Sequence, residues 1–246
     1  MSDYSINPEI KNLYSVISNH LRSRVKAIFV IFIIGVTIGI PLSHNLVDWL
    51  LSANLVPDDV NIIILTPVEF IMLQVRVGAY LGASLAVFYL LIGAAIQNEL
   101  LKKIPNPSIA VIKYGLGGTI LVLAGLAYSW YLLTPMLLEY LASDAQAAGV
   151  STEWRLSSFI GFIGGLCFAC AIGFQAPLFT LLSINSGAIS RNDILQYRRH
   201  IWFTTFVLGA AFSPPDPLSL FLVAIPIILL FEAAIIWDSI SNKGRV

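Results

Sequence analysis

Between its basic clusters this chain runs in apolar stretches long enough to cross a lipid bilayer, and that feature limits its architecture more than any motif does. A spanning helix needs about 20 mostly apolar residues, because each adds only ~1.5 Å towards a hydrocarbon core roughly 30 Å thick. The first stretch follows Arg22, Arg24 and Lys26 and runs from Ala27 to about Leu42, with room to continue towards Leu51 through a bend at Pro41. Others run from about Phe70 to Ile96, from about Ile109 to Leu133 and from Leu156 to Ile184. Beyond Arg198, Arg199 and His200 the apolar character resumes from Ile201 to Phe212, and the last stretch runs from Leu218 to Ile236. Six spans place both termini on one side. The expected fold is therefore all-α, a single polytopic membrane domain over residues 1–246. Composition agrees: 57% of residues are apolar and 11% charged, where an ordinary globular domain carries roughly a quarter of its residues as charge. A soluble enzyme and a disordered chain are both excluded, and a formal net charge of zero argues against nucleic acid as a partner.

The fifth and sixth helices are expected to be the short ones. The uncharged run from Ile201 to Ser213 holds 13 residues, about 20 Å of helix. Ser213-Pro214-Pro215-Asp216-Pro217 cannot continue it, since consecutive prolines remove donors and clash with the preceding turn. Such a hairpin must thin the bilayer, snorkel its flanking charges or shelter behind longer helices. The alternative is a re-entrant loop.

Positive charge sets orientation. With the N-terminus inside, that side holds Lys11, Arg22, Arg24, Lys26, Lys102, Lys103, Lys113, Arg191, Arg198, Arg199, Lys243 and Arg245, whereas the opposite side holds only Arg155. Asp48, Asp58, Asp59, Glu69, Glu139, Asp144, Glu153 and Asp216 fall outside or at the outer edge. The expected topology is N-in, C-in. The first 26 residues are too polar for a signal-peptide core. In this tail, Asn7 can cap a helix that begins at Pro8 and aligns Ile10, Leu13, Ile17 and Leu21 on one face. That is an amphipathic cytoplasmic segment over residues 1–26, either a docking surface or a plain membrane anchor.

Polar groups within spans are expensive and so are functional candidates. Arg76 sits in the second span, and Glu69 shares its face seven residues earlier, so the two either pair or Arg76 snorkels outward. Gln175 stands just before Ala176-Pro177, where its amide can satisfy the carbonyl freed by the proline or reach a neighbouring helix. Glu232 lies about a turn from the cytoplasmic end of the sixth span. Cys167 and Cys170 form a mid-span C-x-x-C without further ligands, which points to small packing residues rather than metal or redox chemistry. Ser84 follows Gly82 in a G-x-S pattern, but His20, His44 and His200 all fall at membrane edges, away from a serine nucleophile. Gly35/Gly39, Gly78/Gly82 and Gly161/Gly165 are G-x-x-x-G pairs that allow close helix contact. The chain shows no nucleotide-binding or metal motif. No enzymatic activity, cofactor or metal is expected, and work must draw on binding or on a transmembrane gradient.

Several of these segments are familiar together. Ala210-Ala211-Phe212-Ser213-Pro214-Pro215-Asp216-Pro217-Leu218-Ser219, followed by Ala224-Ile225-Pro226 and Leu229-Leu230-Phe231-Glu232, resembles the last hairpin of the TatC family, core subunits of the twin-arginine protein translocase. His20-Leu21-Arg22-Ser23-Arg24-Val25 is similar to the family's N-terminal L-R-x-R-L, Thr66-Pro67-Val68-Glu69-Phe70 to its entry into the second helix, and Gly173-Phe174-Gln175-Ala176-Pro177 to its fourth-helix element. The resemblance implies a receptor in a prokaryotic plasma membrane that binds twin-arginine signal peptides, recruits TatA/TatB-type single-span partners and exports folded cargo on the proton-motive force. It also implies assembly of several copies within a larger complex.

It places signal-peptide binding at Glu99, with His20, Leu21 and Arg22, and partner-helix contact at Gln175, with Phe174 and Pro177. Glu69, Arg76, Pro214, Pro215, Asp216 and Glu232 become structural or mechanistic positions. Two arginine forks want carboxylates, and Glu99 is the only acidic residue in its loop. His20 stands where the family has a second carboxylate, and Asp3 or Glu9 could supply that charge. The competing expectation is a secondary transporter, with Glu69, Arg76, Gln175 and Glu232 lining one path.

Overall fold

The computed structural model describes residues 8–53, 55–57, 60–96, 107–149, 153–185, 189–213 and 216–242, with side chains from Val25 on apart from 88, 90–113 and 242. The chain is an all-α membrane protein of six helical passes. The first is α1 (Pro8–Ser52), the second α2 (Pro67–Ile96). The third joins α3 (Pro107–Tyr128) through a π-helical turn, Ser129–Leu133, to α4 (Thr134–Ala147). The fourth is broken into α5 (Leu156–Gly173) and α6 (Ala176–Asn185), and α7 (Arg191–Phe212) and α8 (Pro217–Asn242) form the final hairpin.

Prolines account for most of the irregularities. Pro41 is carried inside α1, so the first pass continues to Ser52 as its apolar run allows. The tail helix begins at Pro8 and runs unbroken into the same helix, so it is an extension of the first pass rather than a separate element along the interface. Pro135 has no N–H for the carbonyl of Tyr131. The backbone widens there, and the Thr134 N–H bonds to the Ser129 carbonyl five residues back. This lets the third pass continue to Ala147, well past the expected end at Leu133, with Thr134, Leu137, Leu138 and Ala142 buried along one side.

Among the described residues five stretches are long and apolar enough to cross a membrane; the remaining pass, α7, carries Arg191, Asp193, Arg198 and Arg199 in its first half. At 22 and 26 residues, α7 and α8 are the shortest passes, although charged turns make α7 longer than its apolar run. Their turn stops short of the bundle's end. The carbonyl of Phe212 lies 3.2 Å from where a Cβ on Gly165 would stand, roughly 14 Å along α5 from its start.

The most buried helix is α5, around which the core is layered. Near its start Phe159, Ile160 and Ile163 pack with Val47, Leu50, Leu73 and Leu138. Further along, Leu166, Cys170 and Phe174 meet Leu133, Leu137, Val223 and Ile227. Beyond that, Ile194 of α7 packs on Phe231 and Ile235 of α8. Two connections also pair as short parallel strands, β1 (Asn61–Ile63) and β2 (Glu153–Arg155), with Ile62 opposite Trp154. The chain before α2 is thereby tied to the chain before α5.

Two of the three glycine pairs face each other. A Cβ on Gly39 would stand 2.5 Å from the Cα of Gly78, and one on Gly35 would collide with the Cα of Gly82. The backbones of α1 and α2 touch there, and larger residues would force them apart. The third pair meets no glycine: Gly161 makes room for the Arg76 side chain, and Gly165 for the Phe212 carbonyl and the Tyr80 hydroxyl.

Candidate functional site

At the end of the bundle where α2 and α5 begin, Glu69 is buried at 6% exposure. Its Oε1 accepts from the Ser157 hydroxyl at 2.7 Å and the Ser157 N–H at 3.2 Å, and its Oε2 accepts from the Leu65 N–H at 3.0 Å. Arg155, the residue that caps α5, makes no side-chain cap of its own. Glu69 takes over that task from another helix, placing a carboxylate at the positive end of α5. Of the two alternatives for Glu69 and Arg76, pairing and outward snorkelling, the pair does not form. The ion partner of Glu69 is Arg155, Nε to Oε1 3.8 Å, while Arg76 extends outward and donates to the Ser157 carbonyl at 3.2 Å. Both side chains converge on Ser157, one on its donors and the other on its acceptor.

Inward from Arg76 lies a concave face with a volume of about 850 Å³, walled by α1, α2, α3 and α5 and reaching Gln175. Gln175 sits in the break between α5 and α6, which Pro177 enforces by lacking the N–H that Gly173 would use. It is 2% exposed; its Nε2 donates to the Gly118 carbonyl of α3 at 3.1 Å. The amide therefore reaches a neighbouring helix. Its Oε1 has no hydrogen-bond partner among the described residues. Phe174 packs its ring 5.6 Å from that of Tyr128, whose hydroxyl donates to the Leu222 carbonyl at 2.8 Å. Leu222 stands four residues before Pro226, so its carbonyl has lost its helical donor and Tyr128 supplies one from α3.

The last hairpin is held by charge at the opposite end. Glu232 of α8 is gripped by Arg198 of α7, Nε to Oε1 at 3.0 Å and Nη2 to Oε2, and also accepts from the Trp202 indole at 3.0 Å. Arg191 and Asp238 pair at 3.8 Å along the same seam. At the hairpin turn, Asp216 caps α8: Oδ1 accepts from the Ser219 N–H at 2.7 Å and Oδ2 from its hydroxyl. Pro217 at the first helical position fits that role.

Glu69 and Glu232 thus belong to separate clusters, and neither lines the concave face that holds Arg76 and Gln175. The single polar path of the transporter alternative is absent among the described residues. Glu99, Pro214 and Pro215 lie outside the described residues, as do the side chains of His20, Leu21 and Arg22, whose backbone belongs to α1. Cys170 is fully buried in the packed core, and the half-buried Cys167 beside it accepts from the Ser129 hydroxyl at 3.5 Å. His44 contacts Gln74, 3.1 Å between Nε2 atoms. Gln74 stands ~15 Å from Ser84 along α2, so the histidine is not beside that hydroxyl. Ser157 and Tyr128 were not singled out from the sequence. Only the latter had a signal, an unanswered proline in another apolar helix.

The family model for Sec-independent protein translocase protein (TatC) matches residues 17–226. Haloferax volcanii TatCt is 26% identical over 219 residues, 84% of this chain and 30% of that protein. The Halothiobacillus neapolitanus TatC match takes in 35% of its length, so the chain spans about a third of these two relatives. Helicobacter pylori J99 TatC is 26% identical over 75% of this chain and 73% of its own. A crystal structure of the twin-arginine translocase receptor TatC superposes with a TM-score of 0.74 at 23% identity, covering 91% of this chain and 98% of that one, a likeness of fold. With its six-pass architecture and a sequence match covering most of its length, the chain belongs to the TatC family of Sec-independent protein translocase proteins.

Proposed function

We propose that this chain is the receptor and core subunit of a twin-arginine translocase, which exports folded proteins across a prokaryotic cytoplasmic membrane on the proton-motive force. Family membership supports this, and one observation in the site carries it furthest. Gln175 is buried at a helix break on a concave membrane face, with one amide hydrogen bond made and its oxygen unanswered. An unsatisfied acceptor within hydrocarbon favours any helix that brings a donor to it. Gln175, with Phe174 and Pro177, is then the contact for a TatA/TatB-type single-span partner.

In this reading the chain is N-in and C-in, as the asymmetry of its basic residues favours. Signal peptides dock on the cytoplasmic side, with Glu99 as the carboxylate for an arginine fork and His20, Leu21 and Arg22 beside it. Glu69, Arg76, Pro214, Pro215, Asp216 and Glu232 hold the scaffold, and several copies assemble in the working complex. The role is one of binding and gating, without catalysis.

Gln175→Leu tests the reading in membranes that also contain a TatA/TatB-type partner. Co-purification of the partner should be lost while crosslinking of a twin-arginine peptide persists. Undiminished partner recruitment would contradict the assignment, and loss of both activities would indicate misfolding.

A further inference from the structure

Among the described residues, no carboxylate pairs with Arg76 and its one hydrogen bond is to the Ser157 carbonyl, while Glu69 is occupied by Ser157 and Arg155. A guanidinium carries five N–H donors in a planar fork, so most of its capacity is unspent. The side chain starts about 14 Å into α2 but reaches the first turn of α5, with Gly161 opening the space that its Cδ and one edge of its guanidinium occupy. The charge has moved towards the membrane surface while the stem stays between helices.

Below it the concave face becomes an apolar slot. Tyr80, Ser84, Phe168 and Ile172 line it, and the whole concave face of which it is part has a volume of about 850 Å³, within the ~300–1,000 Å³ usual for organic ligands. At the Arg76 end stand Trp49 and Trp130, stacked with ring centroids 4.4 Å apart. Indoles favour the headgroup level of a bilayer. Cation and indoles above, apolar walls below: this is the polarity order of a phospholipid. A transmembrane helix would fill the slot with side chains, but nothing in an apolar span would answer the guanidinium.

We propose that this end of the cavity binds an anionic phospholipid of the adjoining leaflet, with its phosphate on Arg76 and an acyl chain in the slot walled by α2, α3 and α5. The site is distinct from the partner contact at Gln175, which lies at the far end of the same cavity.

The test uses the full chain in nanodiscs of mixed phosphatidylglycerol and phosphatidylcholine. In parallel samples one lipid carries a photoactivatable acyl chain, and labelled peptides are mapped by mass spectrometry. Phosphatidylglycerol should label slot residues about fivefold more than phosphatidylcholine, as expected for one arginine near a membrane surface. Arg76→Gln should level the two, Arg76→Lys should keep the preference, and Ser84→Trp should reduce labelling by both lipids. Equal labelling by the two lipids in the wild type would overturn the proposal, whether or not Arg76→Gln folds. Persistence of the preference in Arg76→Gln would also overturn it. So would efficient crosslinking of Ser84→Cys to a second copy of the chain, which would make the slot a protein interface.

Discussion

Replacing Tyr128 with phenylalanine removes one oxygen and leaves a helix carbonyl in the membrane without a donor. The Tyr128 hydroxyl lies 2.8 Å from the carbonyl of Leu222, which lost its own helical partner because Pro226 has no N–H. Orphaning a buried acceptor costs about 1–3 kcal/mol. Interhelical side-chain bonds measured in bilayers average nearer ~0.6 and reach ~1.7 kcal/mol. Tyr128→Phe should therefore destabilise the chain by about 1–2 kcal/mol, towards the upper bilayer figure because no competing donor stands nearby among the described contacts of Leu222. Pro226→Ala supplies the sharper test, since alanine restores the N–H that Leu222 needs. In that background Tyr128→Phe should cost under ~0.5 kcal/mol, giving a coupling of about 1 kcal/mol in a double-mutant cycle. Equilibrium unfolding in mixed micelles, followed by tryptophan fluorescence, measures all four corners. Equal penalties in the two backgrounds would refute the claim that Tyr128 stands in for the missing proline donor.

Glu69→Ala orphans the Ser157 N–H and hydroxyl and the Leu65 N–H, and should cost about 2–4 kcal/mol in the same assay. Arg155→Gln should cost less than ~1 kcal/mol, because the Arg155 side chain is 52% exposed and its ion pair is screened; the reverse order would show that the ion pair, not the capping of α5, matters. Gly78→Val would set a Cβ 2.9 Å from the Val36 carbonyl, and should destabilise the α1–α2 crossing by about 1–3 kcal/mol. A cysteine crosslink across that crossing should slow in the variant, and an unchanged rate would mean the backbones are not in contact.

What was legible in the sequence follows what is local. Apolar runs and prolines are local, so the six passes, the passage of α1 through Pro41 and the carbonyl freed by Pro177 were all readable, while the fourth span, continuous in the sequence from Leu156 to Ile184, proves broken at Gln175. The extension of the third pass to Ala147 had a signal too: Thr134, Leu137, Leu138 and Ala142 recur at helical spacing, but Glu139 and Asp144 made the segment look external. The partner of Glu69 had none. Arg76 shares its helix and face, whereas Ser157 is 88 residues away and is brought close by the packing of α2 on α5. The same holds for the glycine pairs, whose spacing announces close contact without naming what approaches. Gly161 clears space for the Arg76 side chain, and Gly165 for the Phe212 carbonyl and the Tyr80 hydroxyl, rather than for a facing glycine. The β1–β2 pairing was hidden because three-residue strands carry too little alternation to register.

In the function proposed above, this TatC-family chain reads paired arginines on the face where its basic loops lie. A photoreactive peptide bearing two adjacent arginines, with a two-lysine peptide as control, tests it on the chain in native membranes. The arginine peptide should crosslink to the loop containing Glu99, weakened by Glu99→Ala and further by Glu9→Ala, with the lysine peptide near background. Equal crosslinking by the two peptides, or arginine-peptide binding unchanged in both variants, would contradict it.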